Sequence, residues 1–443
     1  MSRAPSAAER ASFGADVEVA SPASLGELTD VVRAAEAAGR RVAAAGSGAH
    51  PEAADSPEGT ALLVSAERFD GAVAYEPNDF TIGVGAGTRL EELRELLASH
   101  RQELPHDWPA RGAGTIGGLV ARAPYSPRQG SVGPMHALVL GVEGVRGGGT
   151  PFKSGGMVVK NVAGYQIHKL AAGSLGRFGV LTRVNFRVRP IPERRAAGIA
   201  AFETSDAAAT FARALRAKRL EPACLAILAG NDLSAPRDLP WPAGALRVVW
   251  LFEGNRQRVE WLAAEAWKAA AAPVVGATSA GAARADDERA GGSLLDFLAS
   301  LEEPAADRAL GVARVAVASN QVVGAQEVLG QRLAARSGTT FRTLADLLTG
   351  QVVVRWTSPS QELAEPVHDV VETAARFEGV ARLVHLPAPL RSRFPRDLTP
   401  DPNAALSEKV RAAFDPHGTF GGARTAPSAA NARAAAAAAG GRR

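Results

Sequence analysis

The sequence predicts an α+β protein of two domains, and three observations favour this class. The chain has 443 residues, more than one ordinary hydrophobic core accommodates. Short apolar runs alternate with amphipathic helical patterns along most of its length. Glycine is dense up to about residue 190 and thinner beyond it, which indicates a boundary there. We therefore expect a first domain over residues 1–190 and a second over residues 191–388.

The composition excludes several classes of protein. Hydrophobic residues make up 46% and charged residues 22%, the profile of a soluble globular protein. No apolar run is long enough to cross a bilayer and the N-terminus lacks a signal-peptide core, so we expect no transmembrane segment and a cytoplasmic location. The single cysteine, Cys224, excludes an internal disulfide framework and a cysteine metal cluster. A net charge of +4 without an extended basic run does not support nucleic-acid binding.

The first elements are a helix and a strand. "SLGELTDVVRAAEAAG" begins with a capping box formed by Ser24 and Glu27 and ends at Gly39. "RRVAAAG" then predicts a strand that runs into a turn of small residues. The expected apolar face of the helix comprises Leu25, Leu28, Val31 and Val32.

The rest of the first domain continues this alternation. "ALLVS" and "FTIGVGAG" predict strands, and "TRLEELRELLASH" predicts a helix with Leu90, Leu93 and Leu97 on one side. A long loop-rich segment covers residues 103–133. "HALVLGVEGV" and "GVLTRVNFRVRP" then predict strands, the second closed by Pro190.

The second domain shows recurring strand and helix patterns. "AAATFARALRAKRL", "ACLAILAG", "ALRVVWLFEG" and "NRQRVEWLAAEAWKAAA" form one group, and "VARVAVAS", "GAQEVLGQRLAAR", "GQVVVRWTS", "ELAEPVHDVVETAARF" and "VARLVHL" form a second. Two such strand–helix–strand groups predict a layered α+β sandwich. We expect a surface loop over residues 272–293 and a disordered low-complexity tail over 426–443.

Two glycine-rich stretches could bind an anion. "GAGTIG" at Gly112–Gly117 fits the dinucleotide fingerprint, but no strand precedes it and prolines follow closely, so a turn or a phosphate loop of another fold is favoured. "AAGSGAH" at Ala44–His50 follows a strand, and either an ordinary turn or a convergence of amides on an anion explains it. His50 could be a ligand, a flavin attachment point or a surface residue, and the surface is the default.

A polar cluster lies at Lys160, Asn161, Tyr165 and His168. In a helix, Asn161, Tyr165 and His168 would share a face, and either His168 or Lys160 could act as a base. No carboxylate lies nearby to orient a base, so we favour packing and hydrogen bonding around a buried cofactor. The eight histidines form no metal motif, and neither a serine-hydrolase elbow nor a Walker A loop is present.

Five motifs in order resemble the FAD-binding domain of the PCMH-type, vanillyl-alcohol-oxidase-like flavoproteins. They are "VASPASLGELTDVVRAAEAAGRRVAAAGSGAH", "YEPNDFTIGVGAGTRLEELRELLASHRQELPHDWP", "GTIGGLVA", "PRQGSVGPMHALVLGVEGV" and "GSLGRFGVLTRVNFRVRP", and they span about residues 17–190. The resemblance implies an FAD-binding domain made of two α/β subdomains, with the second domain as a cap that covers the flavin. "KVRAAFDPHGTFGGAR" resembles the closing segment of the family, so residues 389–425 are expected to return to the first domain.

The resemblance also implies which residues contact FAD. Two loops, Ala45–Ala49 and Gly114–Gly118, would bind the pyrophosphate, while Trp108 and Pro109 would approach the isoalloxazine ring. The full set comprises Ala45, Gly46, Ser47, Gly48, Ala49, His50, Pro105, Trp108, Gly114, Thr115, Ile116, Gly117, Gly118, Arg128, Ser131, Val132, Asn161, Tyr165, Gly179 and Val180.

Within that family, "GGMVVKNVAGYQIHKLAAGSLG" is similar to the E-type FAD-binding subunit of bacterial glycolate oxidases. This resemblance implies oxidation of a small 2-hydroxy acid in a complex with a catalytic FAD-linked subunit and an iron–sulfur subunit, and a peripheral place at the inner membrane through that complex. The H-x-H-x-G-D motif of the catalytic subunits is absent here. Two alternatives stay open. One is a stand-alone FAD-linked dehydrogenase that uses His168, Lys160, Arg393 or His385, and the other is a scaffold without cofactor.

Overall fold

The computed structural model confirms the α+β class. It describes residues 2–4, 6, 10, 13, 16–49, 60–109, 114–158, 164–234, 239, 241–271, 282–285, 288–303, 310–359, 361–391 and 393–420. Three sheets dominate these residues, of four, five and eight strands. No helix in the described part of the chain is both long and apolar enough to span a membrane.

A four-stranded sheet, in the order β1-β2-β4-β3, begins the fold. Strand β4 pairs in parallel with both β2 and β3, whereas β1 is antiparallel to β2. Its elements are β1 Ser2–Arg3, β2 Glu18–Ala20, α1 Leu25–Ala37, β3 Arg41–Ala45 and β4 Thr60–Ser65. Helix α1 begins where the Ser24 hydroxyl accepts a hydrogen bond from the Glu27 amide, as its sequence predicts. Leu25, however, is 44% exposed, because the buried face of the helix is rotated toward Leu28, Val32 and Ala35.

A five-stranded antiparallel sheet, in the order β5-β6-β10-β8-β9, follows. Its core contains Leu90, Leu93 and Leu97 of helix α2, the three leucines that the helical spacing predicts. The elements of this region are β5 Ala72–Glu76, β6 Thr81–Gly85, α2 Leu90–Ser99, β7 Gln102–Glu103, α3 Ile116–Arg122, α4 Gln129–Val132, α5 Met135–Leu138, β8 Val139–Arg146, β9 Thr150–Gly155, β10 Val180–Arg187 and β11 Arg189–Pro190.

The C-terminal half is built around an eight-stranded antiparallel sheet in the order β15-β12-β14-β13-β17-β18-β16-β19. Two βαββαβ units join edge to edge where β13 pairs with β17. The first comprises β12 Arg194–Phe202, α6 Ser205–Ala217, β13 Cys224–Gly230, β14 Leu246–Gly254, α7 Arg256–Ala270 and β15 Ala282–Ala285. The second comprises β16 Gly311–Ala316, α9 Val322–Ala334, β17 Thr340–Asp346, β18 Gln351–Thr357, α10 Pro366–Arg376 and β19 Val380–His385, and α8 Glu288–Ala299 lies between the units.

The two faces of the large sheet have different neighbours. Helices α6, α7, α9 and α10 cover one face, where Phe211, Leu262 and Val370 lie in a single core. The other face packs against Leu294 and Leu298 of α8 and against Tyr125 from the N-terminal half. The second face is therefore the seam between the two halves of the protein.

The prediction of a surface loop over residues 272–293 is wrong where the structure describes these residues. Strand β15 pairs with β12, with Gly198 opposite Arg284, and helix α8 begins at Glu288. The sequence does not predict these elements, because alanine and arginine have low strand propensity and two glycines lower the helix propensity at the start of α8. Residues 388–391 form a short helix, α11 Ala388–Arg391, and α12 Ala404–Phe414 follows it.

Candidate functional site

A large cavity lies between the two sheets of the N-terminal half. It contains about 1140 Å³ of empty space, part of which is open to solvent. The turn after β3, the start of α3, strand β10 and the C-terminal helix α12 contribute to its walls.

One rim of the cavity is the loop Gly46–Ala49, which follows β3. Gly46 has no room for a side chain, because a Cβ there would lie 2.3 Å from Oγ1 of Thr115. Within the described residues, the amides of Ser47, Gly48 and Ala49 donate no backbone hydrogen bond, and the buried Ser47 hydroxyl has no partner. Clustered free donors of this kind suit a ligand that carries anionic oxygens.

The opposite rim is the loop that opens α3. The Thr115 hydroxyl accepts a hydrogen bond from the Gly118 amide at 3.4 Å and caps the helix. The amides of Ile116 and Gly117 donate to the carbonyls of Thr88 and Ala86 at 3.0 and 2.7 Å. Small residues in this loop therefore allow α3 to pack closely on the turn after β6, and the unpartnered donors lie on the Ser47 side.

The apolar wall of the cavity is aromatic, which no local sequence pattern predicts. The rings of Phe178 and Phe414 are 4.9 Å apart, and Phe152 meets Phe414 edge-on at 5.9 Å. All three line the cavity together with Val180. Phe414 ends helix α12, more than 230 residues after Phe178, so only the fold brings the rings together. Flat aromatic surfaces of this kind suit a planar heterocycle.

The residues after α12 bind to the N-terminal half. The fully buried Asp415 carboxylate accepts hydrogen bonds of 2.8 Å from the amides of Thr419 and Phe420. The Thr419 carbonyl in turn accepts a hydrogen bond from the Val42 amide in β3, and Phe420 lies in the core beneath α1. Burial raises the pKa of the Asp415 carboxyl. Through these contacts the C-terminal segment fixes Phe414 in the wall of the cavity.

The structure brings eleven of the twenty predicted contact residues to the cavity lining. They are Ala45, Gly46, Ser47, Gly48, Ala49, Gly114, Thr115, Gly117, Gly118, Gly179 and Val180. His50 and Asn161 lie outside the described residues. The remaining seven are not among the lining residues, and they are Pro105, Trp108, Ile116, Arg128, Ser131, Val132 and Tyr165.

Arg128 lies in an ionic cluster at the seam instead of along the cavity. Its guanidinium is 2.8 Å from Glu103, 2.7 Å from Asp107 and 2.9 Å from Glu253 of β14. Two further arginines complete the cluster: Arg189 forms an ion pair with Glu253, and Arg195 forms one with Glu103. Three cations thus meet three carboxylates, which is the condition under which a buried arginine is tolerated.

The cluster sets the charge state of its carboxylates. Burial alone would raise the pKa of Asp107, but the Arg128 guanidinium and its hydrogen bonds outweigh burial and lower that pKa. The pKa of Glu103 is lowered in the same way, by Arg128, Arg195 and Arg189 against the effect of burial. Both carboxylates are therefore ionised at neutral pH. Glu103 pairs across the seam with Arg195, whereas Asp107 holds Arg128, which pairs across the seam with Glu253.

Other polar contacts cross the seam beside this cluster. The Tyr125 hydroxyl donates to Asp346 at 3.3 Å, and the Tyr125 amide donates to Glu302 at 2.8 Å. Arg122, which lines the cavity, lies 3.4 Å from Glu303. His106 is buried here as well, and burial, with the charges of neighbouring arginines, lowers its pKa to about 4.

Tyr165 and His168, two members of the polar cluster predicted around residues 160–168, do not lie on one shared face. Tyr165 is 91% exposed, whereas His168 is buried in a 3₁₀ turn, where its amide donates to the Ser154 hydroxyl at 3.0 Å. Lys160 and Asn161 are outside the described residues. The described residues also contain no group of three or more histidine, cysteine or acidic side chains placed to hold a metal ion.

Comparisons with known proteins agree with this geometry. Residues 18–155 match the family model of the FAD binding domain. The chain is 39% identical over 123 residues to the glycolate oxidase subunit GlcE of Escherichia coli, covering 28% of this chain and 35% of that protein. It is 26% identical over 209 residues to the glycolate oxidase subunit GlcD of Bacillus subtilis, and this match covers 46% of this chain and 44% of that protein. These matches span less than half the length of either relative.

A solved structure extends the likeness of fold to nearly the whole chain. An alkyldihydroxyacetonephosphate synthase superposes with a TM-score of 0.66 at 13% identity, covering 93% of this chain and 77% of the other. At this identity the likeness concerns the fold alone. It includes the C-terminal half, which the family model does not cover.

Proposed function

We propose that this chain, which carries a PCMH-type FAD-binding domain over residues 18–155, is an FAD-linked oxidoreductase component that acts on a CH–OH donor. The observation that carries the proposal is the cavity between the Gly46–Ala49 loop and Thr115. It combines unpartnered donors at one rim with an aromatic wall, the two kinds of surface that a dinucleotide with an adenine ring requires.

The residues present fit FAD. The buried Ser47 hydroxyl lacks a partner in the described chain, and the adjoining amides of Gly48 and Ala49 make no backbone hydrogen bond there. These groups would hold the diphosphate, and Phe178, Phe414 and Val180 would pack against a ring. When bound, FAD accepts two electrons from the donor. The chain's own contribution is to bind it, to orient it toward the seam and to exclude water.

A finer role is the FAD-binding subunit of a glycolate oxidase complex. The likeness to GlcE, the subunit with 39% identity over 123 residues, supports it. The absence of an H-x-H-x-G-D motif also supports a division of labour, in which a catalytic FAD-linked subunit oxidises glycolate to glyoxylate and electrons pass onward through the flavin and an iron–sulfur partner. With one cysteine, this chain has no thiolate set for a cluster of its own.

Reconstitution and activity separate this proposal from its rivals. The purified chain is mixed with FAD, desalted, and assayed with a 2-hydroxy acid and a dye acceptor, alone and with the candidate partner subunits. Bound flavin with turnover only in the complex supports the subunit role. Turnover by the isolated chain supports a stand-alone dehydrogenase, and a chain that takes up no FAD supports a scaffold.

A further inference from the structure

Arg122 is the one ionisable side chain among the described residues that line the cavity. The other lining residues are glycine, serine, threonine and apolar residues, so an anion inside the cavity has this single cation to contact. The Arg122 side chain is 15% exposed, and it ends helix α3, whose first turn forms a rim of the cavity. A ligand in the cavity can therefore reach the guanidinium.

The Arg122 guanidinium uses little of its capacity for hydrogen bonds. Its contact within the described chain is one N–H donated to Glu303 at 3.4 Å, longer than a typical hydrogen bond. A guanidinium carries five N–H donors. Arg128, by contrast, contacts three carboxylates at 2.7–2.9 Å. Arg122 thus keeps donors for a further anionic oxygen.

A second cation lies next to Arg122. The Nη1 of Arg314, on β16, donates to the Ala123 carbonyl at 3.4 Å across the seam. Burial lowers the pKa of Arg314, the Glu302 carboxylate at 2.9 Å opposes that effect, and the guanidinium groups of Arg382 and Arg122 lower the pKa further. An anion near Arg122 would therefore be attracted by the charge of Arg314 as well.

Glu303, the partner of Arg122, belongs to the other half of the protein. It follows the short 3₁₀ turn Ser300–Glu302 and reaches Arg122 across the seam, with a side chain that is 18% exposed. A long, partly exposed ion pair contributes little free energy, because water and the entropy of two long side chains offset the attraction. The carboxylate of a ligand can therefore compete with Glu303 for this guanidinium.

Two anions could bind at Arg122, the diphosphate of FAD and a carboxylate of the donor. The proposed diphosphate site lies at Ser47 and Thr115, at the first turn of α3. The seven residues of α3 place Arg122 about 10 Å from that turn, at 1.5 Å per residue. This distance favours the carboxylate of the donor as the ligand of Arg122.

We propose that Arg122 binds the carboxylate of the CH–OH donor, and that Glu303 occupies this guanidinium until the carboxylate displaces it. The inference rests on the function proposed above and names the residue that selects a small hydroxy acid over an uncharged alcohol. The seam thereby takes part in selection, since the competing carboxylate comes from the C-terminal half.

The test is isothermal titration calorimetry of the full chain, with and without FAD, using oxalate as the anion and ethylene glycol as an uncharged two-carbon comparison. Arg122→Met keeps the length of the side chain and removes its charge, and Glu303→Gln removes the charge of the competitor. Arg258→Met and Glu221→Gln are the matched controls, because these residues form an exposed ion pair outside the cavity. Circular dichroism checks the fold, and Glu303→Gln carries the test if Arg122→Met does not fold.

We expect Arg122→Met to weaken oxalate binding by about 10- to 150-fold, the value of a hydrogen bond to a charged group. Glu303→Gln should strengthen it by about 2- to 5-fold, because the competing ion pair is weak. Both control variants should bind oxalate as the wild type does. The binding of ethylene glycol should not differ among the proteins, and Arg122→Met should keep the wild-type affinity for FAD.

Oxalate affinity that is unchanged in Arg122→Met would overturn the inference, as would a failure of both the wild type and Glu303→Gln to bind oxalate. A loss of FAD affinity of about tenfold or more in Arg122→Met would also overturn it, since the guanidinium would then serve the diphosphate. In each case FAD uptake by the wild type leaves the proposed function standing. A chain that binds oxalate through Arg122 but takes up no FAD would overturn the proposed function and leave the anion site.

Discussion

Gly46 and Thr115 lie so close that a single methyl group on Gly46 would come within 2.3 Å of the Thr115 hydroxyl. The two residues belong to the opposite rims of the cavity, one after β3 and one at the start of α3. Their contact sets the width of the gap in which the unpartnered donors of Ser47 and its neighbours lie. The rims can therefore approach only where residue 46 has no side chain.

We first predict that Gly46→Ala separates the rims and weakens FAD binding by about 5- to 150-fold, because overpacking of this kind costs about 1–3 kcal/mol. Quenching of FAD fluorescence on titration measures the affinity. Gly26→Ala is the control, because a Cβ there meets nothing closer than 3.8 Å and alanine favours helix α1. Equal FAD affinity of Gly46→Ala and the wild type would show that the gap is not the diphosphate site.

A second prediction concerns the ionic cluster at the seam. Arg128→Met removes the cation that three carboxylates share. It should lower the free energy of unfolding by about 3–5 kcal/mol, because removing one partner of a buried ion pair leaves the other charge buried and unpaired. Urea unfolding at neutral pH measures it. Glu221→Gln disrupts the exposed pair with Arg258 and should change the free energy of unfolding by less than about 1 kcal/mol. Similar losses of unfolding free energy in both variants would mean that the buried cluster stabilises the protein no more than an exposed ion pair does.

Acid should weaken the seam in a defined pH window. The pKa of His106 is about 4 in the folded chain and 6.5 in an ordinary environment, so only the unfolded chain takes up its proton as the pH falls through this range. The stability present above pH 6.5 is then lost by up to about 3 kcal/mol as the pH approaches 4. The lowered pKa values of Asp107 and Glu103 add a loss in the same direction, below the ordinary carboxylate range.

Urea unfolding of the wild type and of His106→Phe at several pH values between 7 and 4 measures this dependence. The variant lacks the titrating imidazole, so its free energy of unfolding should fall less steeply between pH 6.5 and 4.5. The groups that face the ring, Asp107, Arg128, Arg122 and Arg314, are the same in both proteins. Parallel curves for the two would contradict the account of His106 as a neutral buried ring.

The last prediction concerns the C-terminal segment. Asp415→Ala leaves the amides of Thr419 and Phe420 without their acceptor and should cost about 2–4 kcal/mol of stability, since hydrogen bonds to a charged group contribute more than neutral ones. Release of the segment would also expose the chain after Phe414 to proteases. Limited proteolysis and urea unfolding measure the two effects, with Glu408→Gln on the exposed face of α12 as control. Unchanged proteolysis at the C-terminus would show that Asp415 does not hold the segment.

Much of this architecture could be predicted from local sequence patterns. Helix α2 follows from the spacing of Leu90, Leu93 and Leu97, and the start of α1 follows from Ser24 and Glu27. These signals suffice because each depends on residues within a few positions of one another. The short strand β5 and the alanine-rich β15 carry no such signal, and pairing with neighbouring strands forms them instead.

The site could be predicted in part for the same reason. The loop Gly46–Ala49 is a local pattern of small residues, and the structure places it on the cavity. Phe178 and Phe414 become neighbours only after the chain has folded, and Arg128 finds Glu253 across the seam, 125 positions away. His106 could not be singled out, because its ring lacks a hydrogen-bond partner among the described residues only once the seam has packed, and the sequence around it does not show this.

The most direct test of the central claim is the visible absorption spectrum of the purified chain after incubation with FAD and desalting, before and after acid precipitation. We expect a two-banded flavin spectrum on the protein, at about one flavin per chain, because the Ser47 rim and the aromatic wall form one dinucleotide cavity. Colour released into the acid supernatant would identify the flavin as non-covalent, and colour in the pellet would direct attention to a covalent link. A chain that stays colourless after incubation would contradict FAD binding in this cavity.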